Sequence, residues 1–144
     1  MTDRLSEESN GPGHGGGRGL VTEDAYVYVA GPLSDSPPEY LANVARMSRA
    51  ARRMTRLGLV PINPAADLVE GLIDQWPLSV EDYQARSMSL LRLLAGRRGC
   101  LYVIARVHDD GRESAGVAAE IAEAGRLGIP LFESEVDLLR WAVA

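Results

Sequence analysis

The sequence predicts a single α/β domain, a three-layer sandwich in which a parallel sheet of four to five strands carries helices on both faces. Three observations support this. Short β-favouring runs alternate with amphipathic helical segments, a pattern that implies right-handed crossovers and parallel strands. The first run, Tyr26 to Ala30 (Tyr-Val-Tyr-Val-Ala), shows no apolar/polar alternation, as expected of a strand buried on both faces. With 144 residues and 46% apolar content, the chain can build one core and has no room for a second domain.

Residues 1 to about 23 read as a flexible tail, because Gly11, Gly13, Gly15, Gly16, Gly17 and Gly19 leave too little apolar surface to offset ordering entropy. The domain proper is expected over 24–144. Gly11, Gly13 and Gly16 spell GxGxxG, but they follow a polar tail and not a strand, so no dinucleotide site is assigned there. The strand from Tyr26 stops at Gly31-Pro32. Ser36-Pro37-Pro38-Glu39 then has capping-box spacing with proline in the first helical position. Leu41, Val44, Met47, Ala51 and Met54 continue that helix at three-and-four spacing as far as Gly58, which can cap it. Leu59 to Ile62 reads as the second strand, closed by Asn63-Pro64, and Ala65 to Pro77 is irregular.

Ser79 can cap a helix from Val80 to about Leu94, which Gly96 ends. Cys100 to Ile104 reads as the third strand and Arg106 to Glu113 as a polar loop. Ser114 opens a helix carrying Val117, Ile121, Ala124 and Leu127, closed by Gly128. Ile129 to Phe132 is the fourth strand, and Glu135 to Val143 a closing helix.

Composition narrows the function. No apolar run approaches the ~20 residues of a membrane span, and Met1 to Gly19 holds nothing that a translocon would read, so the expectation is a cytoplasmic protein without a membrane partner. The net charge of −5 gives no global pull towards nucleic acid. Arg46, Arg49, Arg53 and Arg56, with Arg52 beside them, form a basic stripe that reads as a solvated helix face or as a polyanion site. Cys100, the only cysteine, sits among apolar neighbours and reads as a buried thiol. The histidines, His14 in the tail and an isolated His108, lack metal-ligand spacing, and no P-loop or Ser-His-Asp set is present. Neither a metal nor a cofactor is implied.

In an open parallel sheet the ligand lies beyond the carboxyl ends of the strands, where loops 31–36, 63–77 and 106–114 converge. Ser114 to Glu120 (Ser-Ala-Gly-Val-Ala-Ala-Glu) presents free amides and small residues at a helix start, where an anion can be held. Glu120 falls on the edge of the apolar stripe. A carboxylate there can be a nucleophile, a hydroxyl-binding group or a partner for an arginine on a neighbouring helix.

Tyr28-Val29-Ala30-Gly31-Pro32, Asn63-Pro64-Ala65 and Ser114-Ala115-Gly116 through Glu120, in this order and spacing, resemble the nucleoside 2-deoxyribosyltransferase-like superfamily, including its small uncharacterised relatives. The resemblance covers residues 26 to 132. It implies a flavodoxin-like, Rossmann-like fold, cleavage or exchange of an N-glycosidic bond by a hydrolase or transferase, and a homodimer or larger homo-oligomer with sites near the interface. By position, Glu120 matches the nucleophile that attacks the anomeric carbon. Tyr28 matches the tyrosine that hydrogen-bonds it, its alternative being a core aromatic. Ser114 matches the residue that contacts the 5′ end of the sugar, with Ala115 and Gly116 beside it. Gly31, Pro32, Ser34, Asn63 and Ser87 complete the expected substrate contacts.

The family usually carries an aspartate where this chain has Ser87, and a serine cannot protonate the leaving base. Tyr83 lies one turn earlier on the same face, whereas Asp82 points about 140° away; His108 and Asp109 are further candidates. Because Ser114 is neutral where an acidic residue would repel phosphate, a nucleoside 5′-monophosphate is expected over a free nucleoside, with Ser34, Ser36 and Arg112 as further donors. The alternative is a catalytically inactive nucleotide-binding module.

Overall fold

A computed structural model describes residues 20–33, 37–67, 73 and 78–144. In chain order it contains β1 (Tyr26–Ala30), α1 (Pro37–Arg56), β2 (Val60–Ile62), a 3₁₀ turn (Pro64–Ala66), α2 (Val80–Leu94), β3 (Gly99–Val103), α3 (Ala115–Leu127), β4 (Leu131–Phe132) and α4 (Glu135–Val143). The four strands form one parallel sheet in the order β2–β1–β3–β4. That order begins the flavodoxin-like sequence 2-1-3-4-5, and the predicted α/β sandwich is the fold.

Side chains on β1 and β3 alternate between the two faces, and each face has its own core. On one, Val27, Val29, Cys100 and Tyr102 meet Met47, Ala50 and Met54 of α1 and Leu138 and Ala142 of α4. On the other, Tyr28, Ala30, Leu101 and Val103 meet Leu91 and Leu94 of α2 and Val117 and Ala124 of α3. Because both faces are covered, β1 and β3 need apolar residues at every position, which is why neither alternates in sequence. Cys100 is fully buried, and burial pushes its thiol up to about 12, so it behaves as a small core residue.

Ser79 and Ser114 accept a hydrogen bond from the amide three residues on, as the sequence predicts, and Ser134 caps α4 in the same way. Gly58 and Gly128 take positive φ values of 88° and 72° and end α1 and α3. Packing starts upstream of β1, where Val21 is buried and its amide donates to the Leu57 carbonyl, just before the expected domain start. The glycine-rich segment 1–19, Ser34, the cap at Ser36 and Trp76-Pro77 lie outside the described residues. Among the described residues, no helix is long and apolar enough to cross a membrane.

The basic stripe on α1 is partly neutralised. Arg46 reaches Asp109 at 3.4 Å and Arg53 reaches Glu135 at 2.5 Å, which ties α1 to the loop after β3 and to α4. All five arginines are exposed.

Candidate functional site

At the carboxyl ends of β1, β2 and β3 lies a cleft of about 720 Å³, a size suited to a small organic ligand. Its walls come from all three strand-end loops and from α1, α2 and α3. Gly31 stands at its floor, where a Cβ would come within 2.8 Å of Ile104 and 3.2 Å of Met47, so only glycine lets this loop lie so close to the core.

The loop after β3 is a small hairpin. Val107 bridges Glu113, the His108 amide donates to the Arg112 carbonyl at 2.8 Å, and Gly111 turns the chain at φ 85°. The hairpin brings His108, Arg112 and Glu113 to the cleft and delivers the chain to Ser114. Ser114 is buried, and its hydroxyl accepts from the Val117 amide at 3.3 Å. Ala115 and Gly116 behind it are exposed and line the cleft, and the nearest atom to a Cβ at Gly116 would be 3.9 Å away, so a ligand can reach the backbone of the first turn.

Glu120, two turns into α3, is 9% exposed and forms part of the cleft wall. Burial raises its carboxyl to about 7, opposed by the Tyr28 hydroxyl, which favours the charged form. No ion pair offsets its burial among the described residues. The arginine that crosses from α2, Arg92, pairs with Glu123 at 3.3 Å instead, so the arginine-partner reading of Glu120 is not what the helix packing provides.

Tyr28 lies beneath. Its side chain is fully buried, and its hydroxyl makes no hydrogen bond of normal geometry among the described residues. It nevertheless lies close enough to Glu120 and Ser87 for both to affect it: burial, then the Glu120 charge, raise its ionisation well above the tyrosine range, while Ser87 acts in the opposite direction. A buried hydroxyl without a hydrogen-bond partner is costly, and here it sits against the buried Glu120 carboxyl.

No family model, no curated protein and no solved structure matches this chain. The site therefore has to be read from its own geometry.

Of the residues expected from sequence, Gly31, Ser87, Ser114, Ala115, Gly116 and Glu120 all line this one cleft. Tyr28 and Pro32 are buried behind its surface. Asn63 is turned inward on its own chain: its Oδ1 accepts from the Ala65 amide at 3.1 Å and its Nδ2 donates to the Ser48 hydroxyl at 3.4 Å, so it caps the 3₁₀ turn. Tyr83 and His108 line the cleft, whereas Asp82 is exposed on another face of α2 and Asp109 is engaged by Arg46.

Three polar residues at the cleft are absent from the sequence reading, one of them Gln84 of α2. Tyr40 comes from the second turn of α1 and Asp67 from the irregular stretch after β2. The Asp67 amide is held by the Ala65 and Pro64 carbonyls, and its carboxylate is 2.8 Å from Arg86 of α2. Among the described residues, no cluster of three or more His, Cys, Asp or Glu side chains could hold a metal ion.

Proposed function

We propose that this protein cleaves or exchanges the N-glycosidic bond of a nucleoside 5′-monophosphate, with Glu120 as the nucleophile. The observation that carries the reading is a buried carboxyl with no ion-pair partner among the described residues, in the wall of a ligand-sized cleft, with a tyrosine hydroxyl close enough to favour its charged form. The Glu120 carboxylate attacks the anomeric carbon, the bond to the base nitrogen breaks, and its electron pair leaves with the base. Water in a hydrolase, or a second base in a transferase, then displaces the glycosyl ester. The leaving nitrogen needs a proton, and Tyr83, a protic side chain of the cleft one turn before Ser87, can supply it in place of the family's aspartate.

The phosphate is assigned to the start of α3. The Ala115 and Gly116 amides make no hydrogen bond in the described structure, and the Ser114 hydroxyl, while accepting from Val117, keeps its proton to donate. Arg112 adds positive charge at the same end, although it is engaged by Asp110 at 2.6 Å.

Incubation with a panel of nucleosides and 5′-monophosphates, read by chromatography for free base, tests the reading. Release of base from a monophosphate is the expected result. Binding without release from any of them would favour the second reading, a nucleotide-binding module, for which Ser87 in place of a carboxylic acid is the specific support.

The resemblance also implies assembly through the site. Val80 lines the cleft yet is 68% exposed, so apolar surface lies at the cleft rim for a second copy to cover. Light scattering is expected to give a homodimer or larger; a 15.5 kDa monomer at micromolar concentration would contradict it.

A further inference from the structure

The cleft has two ends, and the sheet order determines what stands at each. Because β1 lies between β2 and β3, the loops that follow β2 and β3 are two strand spacings apart, roughly 10 Å. Ser114, Ala115 and Gly116 mark the β3 side, and Pro64 and Asp67 mark the β2 side. Tyr28 stands on β1 itself, with Glu120 and Ser87 against its hydroxyl. A nucleotide laid with its phosphate on α3 and its anomeric carbon over Glu120 therefore places its base on the β2 side.

That end is built from aromatic and charged groups. Tyr40 and Tyr83 line it, and Asp67 joins them. The Asp67 Oδ1 is 2.8 Å from Arg86, whose guanidinium lies 5.4 Å from the centroid of the Tyr83 ring, and the Asp67 charge is felt at the Tyr40 hydroxyl. The Asp67 side chain is 28% exposed, held from behind by Arg86 but reachable from the cleft.

We propose that Asp67 selects the base, by accepting hydrogen bonds from two adjacent N–H donors such as those on the Watson–Crick edge of guanine. The proposal rests on the nucleotide reading given above. Tyrosine rings stack on any base and discriminate little. A carboxylate is different, since it only accepts, and it retains lone pairs after Arg86 has taken one. Guanine offers an imino N–H beside an amino group. Adenine and cytosine set one amino group next to an acceptor, and uracil and thymine set one imino group between two carbonyls, so each would bring acceptors against the carboxylate.

The test is calorimetry on the full chain with guanosine and inosine 5′-monophosphates, in ribo and 2′-deoxy forms, which differ only in the exocyclic amine. The Glu120→Ala background prevents turnover. The guanine nucleotide is expected to bind at least about tenfold more tightly, as a hydrogen bond to a charged group requires. Asp67→Asn should reduce that preference to within about threefold and leave affinity for ribose or deoxyribose 5-phosphate unchanged, which shows that the variant is folded. Equal affinity for the two nucleotides, or an unchanged ratio in Asp67→Asn, overturns the assignment. Should Asp67→Asn fail to fold, the ratio in the Glu120→Ala protein decides alone. Base release by the active protein without guanine preference removes this inference and spares the glycosidic reading; failure to bind any nucleotide removes both.

Discussion

The Tyr28 hydroxyl and the Glu120 carboxyl face each other beneath the cleft, one from the central strand and one from the helix packed over it, and each alters the other's titration. Burial dominates at both groups and disfavours charge. The tyrosine partly offsets that effect at Glu120, because its hydroxyl favours the carboxylate. At neutral pH the cleft therefore holds a carboxyl near its midpoint, a state that exposed glutamates do not occupy.

The first consequence is a pH profile. A nucleophile must be deprotonated, so kcat/KM for base release should rise with pH and level off above a midpoint near 7. Tyr28→Phe should move that midpoint upward, because it removes the group that lowers Glu120, and should cost less activity than loss of the carboxylate. Initial rates between about pH 5 and pH 9 check this. A flat profile, or one that moves down in Tyr28→Phe, would contradict the pairing.

Stability should show the same carboxyl from the other side. A glutamate raised from the ordinary 4.5 to about 7 on folding destabilises the folded state as pH rises through that window. Full contribution is present below 4.5, and about 3 kcal/mol is lost above 7. Glu120→Gln removes the titration while keeping shape. It should raise stability by about 2–3 kcal/mol at pH 8 and by much less at pH 4. Urea unfolding at the two pH values measures it, and equal effects at both would show that Glu120 is not buried as a charge.

Much of this was legible in the sequence. The bounds of α2 and α4 match the predicted ones, and in both a serine side chain caps the first turn. β4 is shorter than its apolar run, and Leu131–Phe132 alone pairs with β3. At the site, Glu120 stands out in the sequence as a carboxylate on the edge of an apolar stripe, and it lies in the cleft wall. Asp67 does not: it follows β2 in a stretch without periodicity, and only the fold of the 3₁₀ turn and Arg86 bring it to the cleft. Asn63 illustrates the opposite case. An asparagine at a strand end looks available to a ligand, but its side chain satisfies the amide two residues on, the local bond that asparagine readily forms.

Ser114 has two roles that one pair of substitutions separates. As N-cap it satisfies the Val117 amide, so Ser114→Ala should cost about 1 kcal/mol of stability. Aspartate caps a helix as well as serine does, so Ser114→Asp should retain stability yet repel a phosphate. Calorimetry with a nucleoside and its 5′-monophosphate is expected to show the monophosphate preferred by the wild type and disfavoured by Ser114→Asp. Tighter binding of the free nucleoside to the wild type, or undiminished monophosphate affinity in Ser114→Asp, would place the phosphate elsewhere.

Glu120 is the group on which the proposed base release depends, and one side-by-side measurement addresses it: base release and ligand affinity for the wild type and Glu120→Ala, with the monophosphate that the wild type binds best. Glu120→Ala should release no base while keeping its fold and much of its affinity, because the substitution removes the nucleophile and leaves both ends of the cleft in place. Base release by Glu120→Ala at the wild-type rate would contradict the account.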